Sequence, residues 1–332
     1  MGHVMRCITL ARKLRDYQIR VYFVCRNENV KSIIEQNGFE MIVLKDNVND
    51  MNSELLETIQ IIHKTNADLF IVDSYFATDF YYINLKKYIK LVVIDGKSEC
   101  AVEVAAIVNP NISADKELYY NRGIRSTKLL CGINYSFVRT EFITKRKKEL
   151  NEKVINILLT VGGSDYYKAT PILTQKLNNL KNIKIHVIIG PYFKEEMVYK
   201  LKNISMIYNN IYIYENILDL SNLMAKMDLI ITTGGTTVFE VMALAIPCIV
   251  FAIADNQHDA KGLNEYINWF GDIRSSDFKK VDCNRCEKLV EYIKKIIYEY
   301  ENQKVKIDHI KRDFDGKGVE KIAYTLAVEI FK

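Results

Sequence analysis

The stretch Asp228-Leu229-Ile230-Ile231-Thr232-Thr233-Gly234-Gly235-Thr236-Thr237-Val238-Phe239-Glu240 decides the fold. Its start, Leu229 to Thr232, reads as a strand whose Leu229, Ile230 and Ile231 form a continuous apolar run, the pattern of a strand covered on both faces. Two glycines and two threonines then make a turn, and Val238 and Phe239 enter a helix. A strand that passes through a glycine turn into a helix is the repeating unit of a parallel α/β sheet. Ligands of such sheets sit past the carboxyl ends of the strands.

Similar runs flank this one on both sides. Val154 to Val161, Ile183 to Ile189, Ile211 to Tyr214 and Cys248 to Phe251 read as strands of the same sheet. Arg20 to Cys25, Met41 to Leu44, Leu69 to Val72, Leu91 to Ile94 and Ala106 to Val108 form an earlier set, with helical patterns between most of them. The lysine-rich stretch Thr144 to Lys153 reads as a helix, after which the pattern restarts. The expectation is an α/β chain of two Rossmann-like, doubly wound domains, 1–151 and 152–332, facing each other across a cleft. The helical region Cys283 to Lys332 carries no motif with evident chemistry.

Composition narrows the function. With 332 residues, 49% of them hydrophobic, and only 14 glycines and 4 prolines, the chain buries substantial cores, which excludes a disordered or fibrous protein. The 46 basic and 41 acidic residues leave a charge of +5, with lysines scattered rather than gathered into an arm or stripe. That distribution argues against nucleic acid and is compatible with an anionic small substrate. The seven cysteines are unevenly spaced and lie largely in apolar runs, as small core residues of a reducing compartment do. Cys283 and Cys286 have neither a second pair nor a nearby His to complete a metal site, so no metal is expected there. No apolar run approaches the roughly 20 residues a spanning helix needs, and no signal peptide opens the chain. The expected location is the cytoplasm, without membrane insertion. We see no exposed amphipathic stretch of the kind that docks lipid acceptors.

Four stretches carry candidate chemistry. Val4, Cys7, Ile8, Leu10, Ala11 and Leu14 recur at helical spacing, so Gly2 and His3 lie at a helix N-terminus. Free backbone N–H groups and the helix dipole favour an anion there, and glycine permits close approach. A His beside such a spot can act as a general base on water; the plainer reading is an exposed residue near a frayed end. Val161-Gly162-Gly163-Ser164-Asp165 follows a strand and precedes a helix near Lys168. It is either a set of backbone donors for a ligand or a tight turn capped by Ser164 or Asp165.

The backbone and hydroxyls of Thr236 and Thr237 suit a diphosphate, and Glu240 can accept both hydroxyls of a ribose diol. A capping box of Thr237 with Glu240 gives the same spacing. Two glycines and two threonines exceed what a cap requires, which favours the ligand. The last stretch, Ile253-Ala254-Asp255-Asn256-Gln257-His258, offers amides to sugar hydroxyls and N-acetyl groups, or an ordinary helix cap. His258 is read as neither ligand nor base. Asp73-Ser74-Tyr75, Asp95-Gly96, Gly132, Tyr135 and Arg139 are lesser candidates, which turns and caps also explain.

Taken together, Gly2-His3-x-x-Arg6, Asp73-Ser74-Tyr75, Gly132-x-x-Tyr135-x-x-x-Arg139, Gly162-Gly163-Ser164-Asp165, Gly234-Gly235-Thr236-Thr237-x-x-Glu240 and Ala254-Asp255-Asn256-Gln257 resemble the PseG family. These are UDP-2,4-diacetamido-2,4,6-trideoxy-β-L-altropyranose hydrolases of pseudaminic acid biosynthesis, with related spore-coat polysaccharide proteins of the SpsG type. The resemblance runs from residue 1 to about residue 270, with six motifs in the same order. It implies a GT-B fold like that of MurG, UDP bound mainly by the C-terminal domain, and hydrolysis instead of transfer.

By position it makes His3 the base that activates water at the anomeric carbon, with inversion. Gly2 approaches the diphosphate, Thr236 and Thr237 bind it, Glu240 holds the ribose, and Asn256 and Gln257 contact sugar substituents. Arg6, Asp73, Tyr75, Tyr135, Gly163, Ser164 and Gly235 complete the substrate-binding set. No cofactor or metal is implied, since helix N-termini can stabilise the departing UDP.

One departure stands out. In the family a strand and a further glycine precede the Gly-His pair. The expectation is therefore that the first, central strand is absent, that Arg20 to Cys25 and Leu69 to Val72 keep unpaired edges, and that His3 sits on a loosened loop. A start codon further upstream would explain it. The alternatives to a UDP-sugar hydrolase are a GT-B glycosyltransferase using the same donor and a non-catalytic nucleotide-sugar-binding protein.

Overall fold

A computed structural model describes residues 2–45, 50–147, 149–217 and 219–331. Met1, with the expectation about the start codon, lies outside the described residues, as does Lys148. The chain divides into two compact units, Met1–Phe137 with Lys317–Lys332, and Val138–Gly316.

The division falls earlier than the expected boundary at 151/152, and the last helices return to the first unit. Packing explains both differences. The short helix Thr140–Ile143 lies on the helix Thr237–Leu244 of the second unit, and the Lys147 backbone N–H donates to the Leu244 carbonyl at 2.8 Å. The helix Gly318–Tyr324 packs on the first helix of the chain, α1, Gly2–Asp16. A Cβ at Gly318 would stand 2.4 Å from the Ser136 carbonyl oxygen, so only glycine admits that return.

Among its described residues the lysine-rich stretch Thr144 to Lys153 is not helical as expected. Two of its lysines are spent on tertiary partners: Lys145 Nζ donates to Asp219 at 2.9 Å, and Lys147 Nζ donates to the Met227 carbonyl.

The second unit is one six-stranded, all-parallel sheet. Its strands are β7 (Asn156–Thr160), β8 (Lys184–Ile188), β9 (Ile211–Tyr214), β10 (Leu229–Thr233), β11 (Cys248–Ala252) and β12 (Asn268–Asp272), in the order β12-β11-β10-β7-β8-β9. Leu229, Ile230 and Ile231 are fully buried, as their unbroken apolar run requires.

The first unit carries β1 (Tyr22–Cys25) paired with β2 (Glu40–Val43), and a separate parallel sheet β3-β4-β5-β6. The latter strands are Leu69–Val72, Lys90–Ile94, Ala106–Asn109 and Lys128–Cys131. Among the described residues β1 pairs only with β2, and β3 only with β4, so the two edges expected to stay open are unpaired. Helix α1 spans both sheets: Leu10 and Leu14 pack on the four-stranded sheet, while Ile8 and Ala11 pack with Phe23 and Phe39 beside the two-stranded one.

Among the described residues all ten expected strands form, and two more escaped the sequence reading. Strand β6 is only four residues, and its apolar part is Leu129 to Cys131. Strand β12 is an edge strand with a shift in register against β11 and a glycine, Gly271, at φ 123°, so its composition breaks the apolar pattern.

Candidate functional site

In the first unit the site begins where α1 meets the end of β3. His3 and Arg6 are three residues apart and so share a helix face. Both turn toward Asp73, the residue after β3. His3 Nδ1 lies 2.7 Å from Asp73 Oδ1, and Arg6 Nε donates to Asp73 Oδ2 at 2.6 Å. Arg6 Nη2 also donates to Oδ1, and the Cys7 thiol lies 3.3 Å from Oδ2.

Asp73 is 5% exposed at its side chain. Burial pushes its carboxyl up, but the hydrogen bonds from Arg6 and His3 together with their charges outweigh burial and hold it below the usual carboxylate range. An ionised carboxylate only accepts, so a neutral His3 that donates from Nδ1 to Asp73 keeps a lone pair on Nε2; Arg6 Nη2 also lies 3.1 Å from that Nδ1.

Tyr75 fixes the ring from the side, with centroids 4.5 Å apart and planes at 84°. A Cβ at Gly96 would come within 3.2 Å of the Tyr75 ring, so a glycine there keeps Tyr75 in position. His3 is therefore not on a loosened loop as expected: it belongs to α1 and is held by Asp73 and Tyr75. Asp73, expected to touch substrate, has both oxygens engaged by protein groups.

Beyond Tyr75 the carboxyl ends of β3 and β4 enclose a cavity of about 240 Å³ lined by Thr78, Tyr82, Asp95, Lys97 and Cys100. Asp95 shapes its wall by accepting from the Glu99 and Cys100 backbone N–H groups and the Tyr119 hydroxyl. Ala77, Thr78 and Asp79 also line it, and the same segment leaves Phe76 69%, Phe80 58% and Ile83 45% exposed. Phe76 lies in the turn before the helix Asp79–Leu85, which itself carries Phe80 and Ile83. Tyr135 packs against the apolar cluster of α1 and the last helices.

In the second unit the candidates gather at the carboxyl ends of β7, β10 and β11. Gly162 has φ 88°, and a Cβ at Gly190 would stand 2.4 Å from the Gly162 carbonyl, so the glycine turn after β7 lies directly on the turn after β8. Asp165 accepts from the Ala169 and Thr170 N–H groups at 2.9 and 2.6 Å, which is a helix cap. Gly163 and Ser164 are left on the surface of that turn.

A Cβ at Gly234 would stand 2.3 Å from the Gln257 carbonyl oxygen, so the turns after β10 and β11 also touch. The helix Thr237–Leu244 starts without any side-chain cap, and Gly235 and Thr236 are exposed. Glu240 does not reach back as a capping box would: its Oε1 accepts from Arg139 Nε at 2.7 Å. Burial pushes the Glu240 carboxyl above the usual range, against the pull of Arg139. Gln257 is spent locally, its Oε1 accepting from the Ile253 N–H at 2.8 Å, while Asn256 is exposed.

Residues 139–317 match the glycosyltransferase family 28 C-terminal domain, more than half of the chain. The chain belongs to that family. Among its relatives, the uncharacterized protein MJ1062 of Methanocaldococcus jannaschii is 32% identical over 75% of this chain and 52% of its own length. The pseudaminic acid cytidylyltransferase and UDP-2,4-diacetamido-2,4,6-trideoxy-β-L-altropyranose hydrolase of Helicobacter pylori is 27% identical over 77% of this chain and 43% of its own. SpsG, the spore coat polysaccharide biosynthesis protein of Bacillus subtilis, is 23% identical over 77% and 75%. The chain thus spans about half the length of the first two.

Among solved structures, MurG of Acinetobacter baumannii superposes with TM-score 0.60 at 13% identity, over 99% of this chain and 95% of that one. HepE of Anabaena, solved with UDP and glucose, gives 0.58 at 14%, over 99% and 96%. These likenesses agree with the fold expected from the PseG and SpsG motifs, a two-domain α/β chain of the GT-B type.

Sequence reasoning named Arg6, Asp73, Arg139 and Glu240 one by one and missed that they act as pairs. Arg6 with Asp73 and Arg139 with Glu240 are separated by 67 and 101 positions, and no spacing rule links them. Arg274, buried between Asp255 and Asp272, was not singled out at all.

Proposed function

We propose that this protein is a nucleotide-sugar enzyme that releases UDP from a UDP-linked acetamido sugar by attack of water at the anomeric carbon. The observation that carries the reading is the His3–Asp73 pair: an imidazole held by a buried, ionised carboxylate at Nδ1, with Nε2 left to take a proton. In the reaction Nε2 removes a proton from water as its oxygen bonds to the anomeric carbon. The bond from that carbon to the phosphate oxygen breaks, and UDP departs with the electron pair. Asp73 stabilises the imidazolium that forms.

In the second unit, the uncapped start of the helix Thr237–Leu244, with Gly235 and the hydroxyls of Thr236 and Thr237, holds the diphosphate. Glu240 receives the ribose, and Asn256 contacts the sugar. The named activity of the Helicobacter relative supports the sugar class.

A specific observation favours a second reading, transfer to an acceptor with an apolar body. Phe76, Phe80 and Ile83 are exposed on the segment that lines the cavity beside Tyr75. The test is UDP release from a panel of UDP-sugars with and without acceptors. Release without acceptor supports hydrolysis; release only with acceptor establishes transfer; tight UDP binding with no release under either condition leaves a binding protein.

A further inference from the structure

The cavity beside Tyr75 holds a side chain that the fold leaves unsatisfied. Tyr82, on the helix Asp79–Leu85, is 6% exposed and lines the cavity, and its hydroxyl has no hydrogen-bond partner among the described residues. Its neighbour Tyr81 shows the ordinary case, a buried phenol that donates to the Thr58 hydroxyl at 3.2 Å. A buried hydroxyl without a partner carries a desolvation cost that a hydrogen bond from a ligand removes.

The charge around that hydroxyl is one-sided. Asp79, Asp95 and Glu99 all line the cavity. Asp95 is buried and accepts from two backbone N–H groups and the Tyr119 hydroxyl, while Asp79 accepts from the Ala101 N–H. Among the described residues neither carboxylate has a cation within ion-pair distance. Lys97, the cation of the lining, sits 3.9 Å from Glu99 and donates to the Tyr75 carbonyl at 3.2 Å. Arg122 acts on Cys100 from outside the lining and donates to the Ser98 carbonyl. Burial pushes the Tyr82 hydroxyl pKa up, and Cys100, Asp95 and Asp79 push it further, so the phenol stays neutral.

From this arrangement we infer that the cavity seats a protonated amino group carried on a sugar ring, its N–H bonds shared between the Tyr82 hydroxyl and the Asp79 carboxylate, with Asp95 supplying further opposite charge. At about 240 Å³ the cavity has room for roughly eight waters at about 30 Å³ each, the bulk of a single sugar ring. A carboxylate substituent, as on a uronic acid, meets like charge there. An acetamido group satisfies the phenol but leaves two carboxylates without a cation, so the amine is the better match. Tyr75 forms the wall shared with the His3 site, its ring 4.5 Å from the imidazole. Insofar as it places the amine on the sugar of the nucleotide substrate, the inference rests on the reading given under Proposed function; the preference of the cavity for an amine does not.

The experiment titrates glucosamine and a 4-amino-4-deoxyhexose, each against its N-acetylated and its hydroxyl counterpart, into the full chain with 13C-labelled tyrosine rings at pH 6.5. The Tyr82 signal is assigned by its loss in Tyr82→Phe. The expected result is that at least one amine shifts the Tyr82 signal with a Kd about 10-fold or more below both of its counterparts, and that Asp79→Asn reduces this preference about 3-fold or more. Because the hydroxyl has no partner to lose, Tyr82→Phe should melt no lower than the native chain. Three results would overturn the inference: amines that bind no better than their counterparts in either pair, amines that bind without moving the Tyr82 signal, or a preference untouched in Asp79→Asn and Tyr82→Phe alike. UDP release, assayed on the same protein, tests the reaction and has no bearing on which group the cavity takes.

Discussion

Asp73 Oδ1 holds the Nδ1 of His3 at 2.7 Å while Arg6 occupies the other carboxylate oxygen, so a buried ion pair sets the tautomer of the one imidazole at the start of α1. The consequence for catalysis is directional. In the proposed reaction His3→Ala removes the base, and it is expected to lower kcat by roughly 100-fold or more with little change in KM. Asp73→Asn keeps the shape but offers an amide N–H to Nδ1, which moves the ring proton to Nε2. Its kcat should fall by a comparable factor, because the base then carries its proton on the working nitrogen. Steady-state kinetics on both variants decide this, and an Asp73→Asn enzyme with unaltered kcat removes Asp73 as a positioning residue.

The same carboxylate predicts how stability depends on pH. Its folded pKa is depressed, so its stabilisation is fully present above the unfolded value of about 3.9 and is lost as pH falls through the lower folded one. Denaturant midpoints measured from pH 7 down to pH 3 should therefore drop steeply at the acid end for the native chain. For Asp73→Asn the curve should lie lower at pH 7 and decline less below pH 4. Asp73→Ala should cost about 3–5 kcal/mol at pH 7, since it strands the buried Arg6 guanidinium.

Much of the fold was legible because buried parallel strands announce themselves. Ile157 to Leu159 and Leu229 to Ile231 are apolar on both faces and sit in the centre of their sheet. Strand β12 was not legible: at a sheet edge, Asn268 and Asp272 need not be apolar, and Gly271 interrupts the run. The site was legible as positions and not as roles. Gly2, His3 and the Thr236-Thr237 turn stand out by local pattern, whereas the partners of Asp73 and Glu240 are arginines far away in the chain. The Asp165 turn shows the opposite case, where an ordinary cap explains the carboxylate.

Arg139 gives a prediction for the second unit. It is the hydrogen-bonded partner of Glu240, whose carboxyl burial already pushes above the usual range. Arg139→Ala removes the opposing charge and leaves that carboxylate buried alone, at a cost of about 3–5 kcal/mol. Arg139→Lys restores charge without the fork geometry and should recover only part of it. Calorimetric unfolding of the three proteins, with UDP titrated into each, separates a loss of stability from a loss of nucleotide affinity. Wild-type midpoints in Arg139→Ala would show that the pair contributes nothing.

Gly234 and Gly235 are adjacent, and the structure assigns them opposite reasons for being glycine. A Cβ at Gly234 would press within 2.3 Å of the Gln257 carbonyl and 3.0 Å of the Ala260 Cβ, so Gly234→Ala must push the turns after β10 and β11 apart. The expected cost is about 1–3 kcal/mol, with or without ligand. A Cβ at Gly235 meets nothing within 4 Å, so Gly235→Ala should leave the melting temperature of the free protein unchanged or slightly raised. If a diphosphate approaches the uncapped start of the helix Thr237–Leu244, however, that methyl intrudes on the ligand, and the Kd for UDP should rise by roughly 10-fold, about 1.4 kcal/mol. Titration calorimetry with UDP on Gly235→Ala and Thr237→Ala tests this with both proteins fully folded. Unchanged affinity in both would move the diphosphate away from this turn and take the assignment of Thr236 and Thr237 with it.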